Sequence, residues 1–67
     1  MIRLMEYTID EYGVFLDQES DNCYLVRVDG LESSSQLTTY ESLQDATDAA
    51  LDAVNRITAK YKVWMGE

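Results

Sequence analysis

The chain has no histidine and no proline, one cysteine, three glycines and only five basic residues among its 67. Without histidine it loses the usual general base, the Ser-His and Cys-His nucleophile pairs and most zinc sites, so the expectation is a protein that is not an enzyme and needs no cofactor. A lone cysteine, Cys23, closes no intrachain disulfide. No cation lies near it in sequence to lower its pKa, which makes it a packing residue. The glycines at 13, 30 and 66 form no phosphate-binding loop, and Ser33, Ser34 and Ser35 have no base beside them.

The scarcity of bases is the strongest exclusion. Thirteen acids against five bases give a net charge of −8, and residues 1–55 hold twelve of those acids with only Arg3 and Arg27. Phosphate backbones are neutralised by clustered Lys and Arg, so direct nucleic-acid binding is not expected, nor is attraction to anionic membranes. Arg56, Lys60 and Lys62 gather near the C-terminus instead. No apolar run reaches the roughly 18 residues that span a bilayer. Met1–Met5 is too short and too soon interrupted by Glu6 for a signal peptide, which points to a reducing cytoplasm.

What is present is 46% hydrophobic residues in a short chain. That suffices for a single domain over 1–67, but a core this small supplies about 3–5 kcal/mol net, so close packing, a partner or self-association must add to it. Residues 1–40 read as a strand meander because Val, Ile, Tyr, Phe and Thr cluster between Asp, Glu, Asn, Ser and Gly. The segments "IRLMEYTI", "YGVFLD" and "CYLVRV" are the first three strands, with "QESDN" as a turn. In the third, Tyr24, Val26 and Val28 share one face, and Cys23, Leu25 and Arg27 the other. Asp29-Gly30 suits a tight hairpin turn. The following segment is either a continuous return strand or a loop at 32–35 with a short strand at 36–40.

A helix follows over 42–61, capped by Ser42, with acids at its start and bases at its end. Leu43, Ala46, Ala50, Ala53, Val54, Ile57 and Tyr61 fall in an arc of roughly 100°, as a helix lying on a sheet requires. Leu51 lies outside it. Residues 62–67 are a tail that frays, extends the helix or returns as an edge strand. The expected fold is α+β: an antiparallel sheet of three to four strands with one long C-terminal helix packed on one face.

The passage "CYLVRVDGL…YESLQDATDAALDAV" resembles the N-terminal part of HicB-type antitoxins, in which a hairpin leads into an alanine-rich acidic helix. The Pro and Gly positions that precede that helix in the family are missing here.

Two acidic patterns stand out. Asp17, Glu19 and Asp21 have the opening spacing of a calcium loop, but Asn22 replaces its glycine and Val28 its bidentate glutamate, so a solvated turn is expected and no metal. Glu41, Asp45, Asp48 and Asp52 recur at steps of four, three and four on the helix side opposite the apolar arc. Neighbouring carboxylates repel by a few tenths of a kcal/mol per pair, and Asp52 alone has a cation, Arg56, one turn on. A solubilising surface is one reading of this stripe. The other is a partner-binding face, extended by Asp10, Glu11, Asp17, Glu19 and Asp21 on loops and by Tyr40 as an aromatic anchor.

The sequence therefore points to an acidic, protein-binding inhibitor of the phage or mobile-element type. It would dock on the basic, nucleic-acid-binding surface of a host or defence protein such as a nuclease. The alternatives are an accessory subunit or antitoxin-like homodimer, in which Leu51 and tyrosines meet a symmetry mate, and a domain dependent on a divalent metal.

Overall fold

A computed structural model describes residues 1–31 and 34–64, with side-chain surroundings through residue 60. Four strands and a helix follow one another: β1 (Ile2–Ile9), β2 (Tyr12–Ser20), β3 (Cys23–Asp29), β4 (Gln36–Tyr40) and α1 (Leu43–Trp64). The strands form an antiparallel meander in the order β1-β2-β3-β4, and α1 packs on one face of it. This is the α+β architecture that the periodicities predict.

Both early connections are two-residue turns. Ile9 pairs with Tyr12 across Asp10-Glu11, and Ser20 with Cys23 across Asp21-Asn22. Asp10 adopts a φ of 50°, a conformation that a short polar side chain tolerates. The second strand thus runs on through Glu19, and the expected turn at 18–22 contracts to its last two residues. Asp29-Gly30 makes no tight hairpin: Asp29 ends β3, and β4 begins only at Gln36. Gly30 still has a φ of 97°, and a Cβ there would lie 2.7 Å from Tyr12 Cδ1. The glycine is needed where the chain leaves β3 and passes against the β1–β2 turn.

Strand alternation decides what the helix covers. Val14, Leu16 and Val26 are buried on the helix side, and Met5, Tyr7, Ile9, Tyr12, Tyr24, Val28 and Tyr40 pack around them half-buried. The four tyrosines whose surroundings are described are therefore core-edge residues, and Tyr24 donates its hydroxyl hydrogen to the Asp21 carbonyl at 3.2 Å.

From the helix come Ala46, Ala50, Ala53 and Ile57, all buried. Methyl side chains on the contact line let the helix axis approach the sheet closely, and Ile57 and Val14 are the largest side chains fully enclosed. Burying a Val or Ile side chain contributes about 1.5–3 kcal/mol, so these few residues carry much of the folding free energy.

Helix α1 starts as expected. The Ala46 N–H donates to the Ser42 carbonyl at 3.0 Å, and the Asp45 N–H donates to Ser42 Oγ at 3.4 Å. Leu43 departs from the expected arc: at the first helical residue it is 48% exposed. Val54 is half-buried, and the side chain of Tyr61 lies outside the described set. The helix continues through Trp64, so much of the 62–67 tail is helical; residues 65–67 lie outside the described residues, as do Glu32 and Ser33 of the loop.

Candidate functional site: an acidic helix face

Asp45, Asp48 and Asp52 are all exposed on α1, and Glu41 is exposed just before it. On a helix whose buried line runs through residues 46, 50, 53 and 57, these positions lie roughly 110–170° away from the core. Along the axis Asp45, Asp48 and Asp52 are about 4.5 and 6 Å apart. No ion pair involves any of them among the described residues; Arg56, one turn beyond Asp52, does not bridge to it. The stripe is thus a run of uncompensated negative charge.

The stripe also has a definite side. A cleft of about 230 Å³ lies between α1 and β4, floored by Val26, Val28, Leu31 and Ala53 and edged by Thr38, Tyr40, Asp52 and Arg56. Asp52 therefore leans toward the β4 edge. Tyr40 ends β4 half-buried, with its ring packed on the core and one border on the cleft. It adjoins the stripe without standing free of the fold.

The acids expected on loops divide. Glu19 and Asp21 are exposed at the β2–β3 turn, at the end of the sheet where Tyr24 pairs with Tyr40 and from which α1 departs. They share that end of the molecule with Glu41 and Asp45. The Cys23 thiol donates to Glu19 Oε2 at 3.9 Å, so the half-buried cysteine has a local partner. Asp10 and Glu11 occupy the turn at the opposite end of the sheet.

Asp17 does not belong with them. It lies inside β2 with a side chain only 15% exposed, and it accepts hydrogen bonds from Arg3. Its register with Arg3 places it on the open face of the sheet, turned away from the helix, so it is withdrawn from the proposed acidic surface.

That open face holds an arrangement the sequence did not announce. The Phe15 ring sits between the Arg3 and Arg27 guanidinium groups, 4.8 and 4.5 Å from its centroid. Arg3 pairs with Asp17 and, at 2.9 Å, with Glu6, while Arg27 pairs with Asp29 at 3.4 Å. Hydrogen bonding to Asp17 is the main cause that raises the Arg3 pKa above its ordinary value; desolvation opposes it and Glu6 supports it. Phe15 also leans over Gly13, where a Cβ would come within 2.8 Å of the ring. The missing side chain makes room for the aromatic one.

A β-bulge makes the Arg3–Glu6 pair. Residues three apart in a regular strand point to opposite faces, but the register shifts by one between Arg3 and Met5, so both charged residues emerge on the open side. Both basic residues of the sheet are thereby engaged within the sheet itself. They leave the helix acids uncompensated.

Among the described residues no group of three or more Cys, Asp and Glu is placed to hold a metal ion, and no helix is long and apolar enough to cross a membrane. Comparison with protein-family models, curated proteins and solved structures gives no match, and none of the three supports the resemblance to HicB-type antitoxins.

Proposed function

We propose that this protein is a non-enzymatic protein-binding module whose acidic helix face docks on a basic surface of its target. The observation that carries the reading is the segregation of charge. Arg3 and Arg27 are satisfied on the open sheet face, while Asp45, Asp48 and Asp52 share one exposed helix side with no ion pair of their own among the described residues. For stability alone, lysines interspersed at i+4 would serve better.

Carboxylates spaced about 4.5–6 Å along an axis coarsely imitate the phosphates of a nucleic-acid strand. The target class this favours is a protein whose basic groove normally receives nucleic acid, such as a nuclease of a host or defence system, and occupancy of that groove is inhibition. Opposite fields accelerate encounter and weaken as salt screens them.

The test is capture on immobilised protein from native host lysate, with elution by salt and by competing duplex DNA. Retained protein should be displaced by both, and Asp45→Lys/Asp48→Lys should fold normally yet retain it at least roughly tenfold less well. Retention that is indifferent to salt, DNA and the double substitution would leave the stripe a solubilising surface.

A further inference from the structure

The two edges of the sheet are unlike. β4 has five residues and borders the cleft with Asp52; β1 has eight and, among the described residues, no strand or helix covers its outer side. Large apolar residues are exposed on β1, Ile2 by 61% and Leu4 by 43%, whereas the shorter β4 exposes one, Leu37, by 65%. A long apolar edge strand is a template for another strand.

We propose that β1 is a homodimerisation edge, pairing antiparallel with β1 of a second copy to make one continuous eight-stranded sheet. Three observations select a second copy as the occupant. The first is backbone phase. The two-residue turn makes Ile9 and Tyr12 a hydrogen-bonded pair, so by alternation Glu6 and Thr8 direct their N–H and C=O groups to the open edge.

The second is self-complementarity. Pairing centred on Met5 sets Met5 against Met5 of the second copy and Ile2 against Tyr7 on the helix side. On the open side the bulge that turned Arg3 outward sets Arg3 against Glu6, twice by symmetry. An unbulged strand would place Arg3 on the wrong face for this.

The third is charge. A copy carrying −8 approaching β4 meets the Asp52 side of the stripe, whereas β1 offers only the Arg3 and Glu6 charges. The dimer is independent of the acidic-face reading, since it leaves both stripes at the outer ends of the joint sheet.

Sedimentation equilibrium tests this on the full chain. The wild type should reach twice 7.7 kDa at high micromolar concentration. Ile2→Asp, at an exposed position, should raise the dissociation constant at least about tenfold with an unchanged circular dichroism spectrum. Arg3→Glu and Glu6→Arg should each weaken self-association, and an equimolar mixture of the two should restore a dimer, because each then supplies the charge that the other lacks. A species that stays at 7.7 kDa up to millimolar concentration overturns the proposal. So does a dimer indifferent to Ile2→Asp, or a mixture no more associated than its components.

Discussion

The two faces of the sheet solve the same problem by different chemistry. On the covered face Val14, Leu16 and Val26 meet a row of alanines and Ile57, and among the described residues no charged one is buried. On the open face Phe15 is shielded by two guanidinium groups whose charges are answered by Asp17, Glu6 and Asp29. Burial from water stabilises the first. The second stays in contact with water and is held by many weak contacts, each screened and individually small. Loss on the covered face should therefore be abrupt and loss on the open face graded.

Ile57→Ala breaks the comparison hardest. It removes the largest enclosed helix side chain and should cost about 2–5 kcal/mol, comparable with the about 3–5 kcal/mol that so small a core supplies. Urea denaturation followed by circular dichroism should find the variant largely unfolded without denaturant. Phe15→Ala on the other face removes two exposed cation–π contacts of about 0.5–1 kcal/mol each and uncovers Gly13, for a loss of about 1–3 kcal/mol in the same assay.

Arg27→Gln should cost less than about 1 kcal/mol, since it deletes one stacked cation and one exposed ion pair. That loss should shrink further in high salt, whereas the Ile57→Ala loss should not. At the small end, Asp48→Lys should raise the melting temperature slightly. It replaces like-charge neighbours Asp45 and Asp52 by attractions of a few tenths of a kcal/mol.

How far the sequence disclosed these faces follows from how local each cause is. The helix phase was legible because the alanines repeat at helical spacing and Ser42 marks the start. Alternation in 24–28 was legible for the same reason, with Val26 buried and Arg27 exposed as expected. Leu43 falls in the apolar arc yet is exposed at the first residue of α1, because an arc drawn on a helix carries no information on how far the sheet beneath it extends. The breaks at Asp10-Glu11 and within 18–22 were legible from their polar residues and are where the tight turns form, whereas Asp29-Gly30 suggested a hairpin that does not form, β4 beginning only at Gln36.

The site divides along the same line. The exposure of Asp45, Asp48 and Asp52 follows from three local steps on one helix. The fate of Asp17 does not, because its partner Arg3 is fourteen residues away and reaches the open face only through a bulge. Nothing in the composition distinguishes a carboxylate held across a strand pair from one left in solvent.

The alanine row has a mechanical corollary. Methyl groups make shallow teeth, so a rod resting on Ala46, Ala50 and Ala53 has little to stop it from sliding lengthwise over the strands. Among the described residues Ile57 is the deep peg, and with Val14 it sets the axial station of the acidic ruler above the sheet.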